Sequence, residues 1–311
     1  MVWVLFLGYV LPERIEKEYR KVFDYLLEVN REVWETCLSS WGGRVPVRVE
    51  GRIVNYKKVY YTGEPIYFEI KIYPVVDEPV IIPPASFFST NLGIYGSMKK
   101  IGEGKEGFLS VHSRGHADFV MIDVGWLKTL KPLAPGDTLC DFYDCNCFRS
   151  TLNRFQPGFE YHLCYLWSCN MCYPNMQDVP SEYRVKPYFW GLIIDTMDIS
   201  FEIHEPPPEE KEVSEAVERI WKIKHKKEFE KAWEEGMGIL RKHPNSVYIS
   251  VLFEKVFFGI ISKAMDKGIM KDKRKEMYEV LDWFIEEYLS KGKYPRKMVE
   301  RYKELREKLK G

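Results

Sequence analysis

The side chains of this chain best equipped for chemistry are its seven cysteines. Six fall into two clusters, Cys140-x4-Cys145-x-Cys147 and Cys164-x4-Cys169-x2-Cys172, and Cys37 stands apart in an amphipathic stretch. Two chemistries suit such spacing. In an oxidising compartment the six would pair as disulfides; in a reducing one, Cys145, Cys147, Cys169 and Cys172 could offer four thiolates to a tetrahedral Zn ion. Geometry favours the first. The segments 138–143 and 159–167 both read as strands, and if they are antiparallel neighbours, Cys140 and Cys164 lie opposite each other. The other four would then leave opposite ends of that pair, separated by roughly 30 Å at ~3.3 Å per residue. A bridge between Cys140 and Cys164 is therefore expected, stabilising the fold by about 3 kcal/mol in the loop-closure picture, with Cys145, Cys147, Cys169 and Cys172 oxidised in an order the spacing does not define. Cys37 is expected to be a buried apolar thiol.

The six histidines offer less. Only His112 and His116 are close, in "HSRGHADF", and Gly115 between them places the pair on a turn rather than a helix face. A metal role would need a third ligand such as Asp118 or Asp123, so His112 and His116 enter only the alternative, metal-binding reading. Nucleophile-elbow, zinc-protease and phosphate-loop motifs are missing, and "GEGKEG" at 102–107 reads as a flexible turn. The basic clusters 222–227 and 271–275 have acidic neighbours and read as solvated helix faces.

The elements that must position these groups follow from composition and period. With 311 residues, 45% hydrophobic and 30% charged, the chain can bury a core of its own; this excludes wholesale disorder. Its 46 basic and 46 acidic residues give no net field to draw in nucleic acid. Residues 1–10 are apolar but too few for a membrane span, and read as a strand-like arm or the remnant of a signal or anchor. From Pro12 onward, Ile15, Tyr19, Val22, Leu26, Val29, Val33 and Leu38 recur at helical spacing, predicting one amphipathic helix stopped by Gly42 and Gly43. Between Pro46 and Ile203 the period becomes two. Ile66, Phe68, Ile70 and Ile72 alternate with polar or aromatic residues, as do Met197, Ile199, Phe201 and Ile203; both read as half-buried strands. Further strands are predicted at 47–54, 80–82, 117–124, 138–143 and 159–167, with Pro-Gly and Gly-Glu-Pro turns between them. An antiparallel sandwich is expected. Pro206, Pro207 and Pro208 then form a stiff linker into a helix whose first turn carries Glu209, Glu210 and Glu212. Beyond it the composition turns to Lys, Glu, Leu and Met, and helices are predicted over 277–289 and 295–309.

The stretches "YYTGEPIYFEIKIY", "LAPGDT", "FQPGFEYHL" and "DISFEIHEPPPEEKE" resemble the immunoglobulin-like module of secreted bacterial and archaeal proteins, and are distantly similar to the BsuPI proteinase-inhibitor sandwich. The likeness covers about 47–208 and rests on turn and core positions; no inhibitory residue carries over. Phe229, Ala232, Leu240 and Pro244-Asn245-Ser246, followed by Phe257, resemble the second helix of a tetratricopeptide repeat, although Gly236 stands where an aromatic is expected. The resemblance implies a multidomain chain, all-β plus all-α: an arm and helix over 1–44, an immunoglobulin-like sandwich over 45–205 and a helical, tetratricopeptide-like domain over 206–311. It implies a non-enzymatic protein-interaction module of the cell envelope or exterior that needs no cofactor and meets a protein or peptide partner. The alternative is a Zn-binding protein or metal-dependent enzyme using the 140–172 cluster. Charge-rich composition also fits a thermophile, in which cytoplasmic proteins carry disulfides too.

Overall fold

The structure is a computed structural model that describes residues 13–82, 92–112, 128, 130–144, 155–169 and 180–310. Strands fill the N-terminal half and helices the C-terminal half. The apolar segment 1–10 and the strand predicted at 117–124 lie outside the described residues.

The first helix, α1 (Glu13–Ser40), spans what the apolar spacing predicts. It ends where two residues adopt positive φ, Gly42 at 67° and Gly43 at 75°, a conformation that costs glycine little. There the Gly43 amide returns to the Leu38 carbonyl at 2.6 Å. Its C-terminal end is anchored by two long-range bonds. The Cys37 thiol, fully buried, donates to the Arg184 carbonyl at 2.9 Å, and the Trp41 indole donates to the Tyr188 carbonyl at 3.0 Å.

Among the described residues eight strands form two sheets: β1 (Val47–Ile53), β2 (Val59–Tyr61), β3 (Tyr67–Pro74), β4 (Leu92–Lys100), β5 (Glu106–His112), β6 (Leu139–Asp144), β7 (Phe159–Cys169) and β8 (Leu192–His204). The three-stranded sheet has the order β1-β3-β6 and the five-stranded sheet the order β2-β8-β7-β4-β5. An all-antiparallel arrangement is not what forms. Strand β2 runs parallel to β8, with Val59 opposite Glu202 and Tyr61 opposite His204. Parallel neighbours need a long connection, and the chain supplies one because these strands are far apart in sequence. Residues 92–112, where the period predicts no strand, supply β4 and β5; they pair antiparallel, Lys99 opposite Glu106, across a turn in which Gly102 has φ 82°.

The half-burial predicted for 66–72 is also corrected. Tyr67, Phe68, Glu69, Ile70 and Ile72 are all buried, so both faces of β3 are covered at its start. The Tyr67 ring meets Phe142 at 6.4 Å and Tyr294 at 5.7 Å. Glu69, only 6% exposed, is neutralised by Arg52, whose Nε donates at 2.8 Å and whose second nitrogen lies at 2.6 Å. A buried carboxylate without such a pair would be strongly disfavoured.

The helices after the triple proline are α2 (Pro208–His225), α3 (Phe229–Lys242), α4 (Ile249–Leu252), α5 (Phe258–Lys267), α6 (Arg274–Trp283) and α7 (Arg296–Lys310). Two π-helical segments interrupt the run, Phe253–Phe257 between α4 and α5 and Phe284–Leu289 after α6. Pro208 occupies the first turn of α2 with Glu209 and Glu210 beside the positive end of the helix dipole, as the linker reading predicts. The ion pairs Glu212–Lys242 and Arg219–Glu235 tie α2 and α3 as an antiparallel pair. Among the described residues no helix is long and apolar enough to cross a membrane.

By internal contacts the chain falls into two compact units, 1–51 with 71–139 and 160–200, and 52–70 with 140–159 and 201–311. The period change at Pro208 marks where helices begin, but the helical unit also incorporates residues 52–70, 140–144 and 201–204, which carry the end of β1, all of β2, the start of β3, most of β6 and the end of β8.

Gly236 on α3 is kept small by the ring that packs on it. A Cβ there would stand 2.6 Å from the Phe257 ring, which lies tilted against Trp233 with centroids 4.7 Å apart. Two glycines of this helix should therefore respond to substitution in opposite directions. Gly236→Ala should destabilise by about 1–3 kcal/mol through overpacking. Gly238→Ala, with nothing within 4 Å of its added methyl, should stabilise by about 0.5–1 kcal/mol through helix propensity. Denaturant titration of both variants checks this, and equal effects would refute the packing account.

Candidate functional site

Among the described residues two arrangements bring chemically capable side chains together, one in each unit. In the first unit, β7 turns His162 and Cys164 to the same face, since they are two residues apart on a strand. His162 Nε2 lies 2.9 Å from Asp198 Oδ1 on β8, and the Cys164 Sγ lies 3.6 Å from His162 Nδ1. An imidazole that donates to Asp198 through Nε2 leaves Nδ1 to accept from the thiol. This is the order of a nucleophile, its base and an orienting acid. Its electrostatics are wrong for that task. Cys164 is buried, and burial, followed by the negative charges of Glu106 and Asp198, pushes its thiol up to about 12. A thiol that high stays protonated at neutral pH, so the trio is a hydrogen-bonded structural group and not an activated nucleophile.

The expected Cys140–Cys164 bridge does not form. Both are free thiols, Cys140 half-buried on β6 and Cys164 on β7, and these strands belong to different sheets: β6 pairs with β3, whereas β7 lies between β8 and β4. The assumed strand adjacency is what fails. Cys37 is buried and its thiol is pushed up by desolvation, as an apolar thiol should be. Cys145, Cys147, Cys172 and His116 lie outside the described residues. Cys169 ends β7 and His112 ends β5, but their side chains lie outside them too. Among the described residues no group of three or more His, Cys, Asp or Glu side chains is placed to hold a metal ion.

The second arrangement is a cavity of about 610 Å³ whose whole lining belongs to the second unit. One wall comes from the chain between β1 and β3. There the Asn55 side chain acts as a clasp, donating to the Pro65 carbonyl at 2.8 Å and accepting from the Tyr67 amide at 2.9 Å. Glu64, 3% exposed, accepts from the Tyr61 amide at 3.0 Å and pairs with the Lys57 ammonium. Burial raises its pKa above the ordinary carboxylate value, and Lys57 partly offsets this. The other wall comes from Pro244, Asn245 and Ser250 and from the segment around the second π-helical turn: Trp283, Glu287, Tyr288, Lys291, Lys293 and Tyr294.

Three phenols converge on this floor. Tyr288 lies 5.9 Å from Tyr294, which lies 5.7 Å from Tyr67; the Tyr288 hydroxyl donates to the Ser246 carbonyl at 3.0 Å. Desolvation raises all three pKa values, so each ring keeps its proton at neutral pH. Although Ser250 faces it, the buried Tyr67 hydroxyl has no partner at hydrogen-bonding distance. The mouth carries exposed aromatic surface: Tyr56 is 53% exposed and Trp283 is half-buried. Sequence reading missed this site. Its signal was the unusual count of 20 tyrosines, among them Tyr56, Tyr60, Tyr61, Tyr67 and Tyr73 in one short stretch, but which of them meet the helices is set by the tertiary fold.

No family model matches the chain, and no curated protein does. Among solved structures it is similar to the sporulation control protein Spo0M from Bacillus subtilis, with 11% identity over 57% of this chain and 56% of that one, at a TM-score of 0.25. It is also similar to a mutant beta-glucosidase from Listeria innocua in complex with laminaribiose, with 11% identity over 53% of this chain and 17% of that one, at a TM-score of 0.23. The chain thus spans about half of the first protein and under a fifth of the second. Both likenesses are too slight to define a fold.

Two measurements follow. A thiol reagent applied to the native protein should leave Cys37 and Cys164 unmodified and reach them only on unfolding, whereas Cys140 should react slowly; rapid native labelling of Cys164 would show an activated thiol. Glu64 gives a pH test. Because its folded pKa is raised, its contribution favours folding below the unfolded value and is lost as pH rises through the folded value. Lowering the pH from 7 toward 4 should therefore shift stability in favour of the parent protein over Glu64→Gln, as read by denaturation midpoints; a shift the other way would mean that the Lys57 pair outweighs burial.

Proposed function

We propose that the chain is a non-enzymatic recognition module that receives an extended segment of a protein partner in the tyrosine-lined cavity of its helical unit. The observation that carries the reading is the lining itself. Its volume lies within the range of ordinary ligand sites, and its lining includes Tyr56, Tyr67, Trp283, Tyr288 and Tyr294, of the side-chain types most enriched where proteins meet. These rings give large contact area for little conformational entropy. Proton-transfer chemistry gains no support from the same floor, since the phenols are held neutral and the buried carboxylate is occupied by Lys57.

The finer architecture belongs to the same proposal. Separate sheets of three and five strands support an immunoglobulin-like sandwich. The antiparallel α2–α3 pair, with fully buried Ala232 and with Phe257 in the space beside Gly236, supports a tetratricopeptide-like helical array. An envelope or exterior location, with disulfides among Cys145, Cys147, Cys169 and Cys172, completes it.

Selection from a displayed random-peptide library against the intact chain tests the function. Binders should be recovered, should compete with one another and should quench Trp283. They should be lost on a Trp283→Ala variant whose circular dichroism and melting are unchanged. Recovery of the same peptides on that variant, or of none on the parent, would refute the cavity as the recognition site.

A further inference from the structure

One wall of the cavity begins at a histidine. His243 closes α3: its amide donates to the Ile239 carbonyl at 2.9 Å and its carbonyl accepts from the Ser246 amide at 3.1 Å, so residues 243–246 form one tight turn. Pro244 and Asn245, the middle residues of that turn, line the cavity, and the Ser246 carbonyl takes the Tyr288 hydroxyl at 3.0 Å. The imidazole itself points elsewhere, toward α2. Its side chain is only 19% exposed, and its Nε2 is buried with no hydrogen-bond partner among the described residues. Glu212 Oε1 on α2 lies 3.9 Å from that nitrogen, about 1 Å beyond hydrogen-bonding distance.

We propose that protonation of His243 works as a latch on this cavity, so that a segment bound at neutral pH is released on mild acidification. The inference rests on the reading of the cavity as a site for an extended protein segment. Imidazoles take up a proton at about pH 6.5, and the cation donates from both ring nitrogens. A buried N–H without an acceptor is costly, and more so on a charged ring, so Nε2 must then reach one. Glu212 is the acceptor at hand. It stays ionised, because the Lys242 ammonium and, less strongly, His243 hold its carboxyl below the ordinary range. The negative end of the α3 dipole favours the cation as well. Since Lys242 already holds the same Glu212 oxygen, the gap closes from the histidine side. The 243–246 turn is drawn about 1 Å toward α2, and Pro244, Asn245 and the carbonyl that holds Tyr288 move with it. A site preformed around its ligand loses affinity when one wall shifts in this way.

The other charged groups on the surrounding elements are engaged. On α3, Arg241 lies 3.4 Å from Glu276 of α6, and on α2 Glu210 accepts from the Ser246 hydroxyl. Across the cavity, Glu287 pairs with Lys291 and Glu64 with Lys57. Lys242 opposes a charge on His243, but its side chain is 60% exposed and water screens it. Glu64 is the competing source of pH dependence, because burial raises its pKa and it stands in the opposite wall.

Fluorescence anisotropy with the full chain separates the two. The probes are labelled peptides from the library selection that contain no Asp, Glu or His. In the parent protein the dissociation constant should rise about fivefold between about pH 7.5 and pH 5.5. By linkage, binding near pH 6.5 should release protons, read as a dependence of the calorimetric heat on the ionisation enthalpy of the buffer. His243→Gln should keep the parent's neutral-pH affinity at both pH values, and so should Glu212→Gln, a change at an exposed position; circular dichroism and melting confirm that each variant is folded. A flat profile in the parent, or a parent-like fall in folded His243→Gln, would overturn the latch, the second outcome assigning the titration to Glu64. A parent-like fall in Glu212→Gln would overturn it equally. In each of these cases peptides that still need Trp283 leave the segment-binding reading standing, whereas a selection that yields no peptide removes both.

Discussion

The side chain on which the second unit most depends is Tyr67, the first residue of a strand buried in a core made largely of helices. Its amide is held by Asn55, its carbonyl accepts from Val54 at 2.9 Å, and its ring packs against Phe142 and Tyr294. That one position joins the turn-rich segment 55–66 to the C-terminal helices within a single unit. Burying a tyrosine so completely gains a large aromatic contact area, but it also takes a hydroxyl out of water. The cavity lies beside it and shares Ser250, Tyr288 and Tyr294 with it, yet the hydroxyl has no partner at hydrogen-bonding distance. The site is thus a by-product of how strand and helix are joined, which is why its walls come from segments distant in sequence.

Much of the fold was legible as periodicity. The helix 13–40, the strands near 47–53, 139–144, 159–169 and 192–204, and the helical run after Pro208 all announce themselves by spacing, because period follows from local geometry and the need to hide one face. What spacing does not encode is which strand lies beside which. Segments 139–144 and 159–169 are consecutive in the described chain and both alternate, so adjacency was the simplest inference; yet each pairs with strands from elsewhere, and the Cys140–Cys164 bridge built on that adjacency disappears with it. The parallel β2–β8 pair is hidden for the same reason. Three residues, 59–61, are too few to show a period at all.

The trio Cys164, His162 and Asp198 shows how close packing can imitate a catalytic arrangement. Alternation places a histidine and a cysteine on one face of β7, and the next strand supplies a carboxylate at hydrogen-bonding distance. Geometry alone would nominate it. Burial decides otherwise, and the negative charges of Glu106 and Asp198 add to it, so that the proton is held on sulfur. In the tyrosine cavity, too, burial holds protons in place, there on the phenols of Tyr67, Tyr288 and Tyr294.

The second wall of the cavity arises from a departure from regular helix geometry. An α-helix over 277–289 would set Val280, Leu281, Phe284, Ile285 and Tyr288 along one inward face. The first four are indeed buried, and Phe284 stacks on Phe253 at 3.6 Å with the rings nearly coplanar in orientation, 5° apart. From Phe284 onward the chain is π-helical, and each residue is rotated less about the axis than in an α-helix, so the following side chains drift away from that face. Tyr288 then lies half-buried at the cavity instead of within the core, with Glu287 beside it. Phe253, the residue against which Phe284 stacks, itself opens the other π-helical segment. Two wide turns thus meet at one stacked pair of rings, and the second of them contributes Glu287 and Tyr288 to the cavity lining. A wide turn costs hydrogen-bond geometry and persists only where packing offsets that cost; here the stacked phenylalanines supply that packing and Tyr288 is delivered to the cavity as the result.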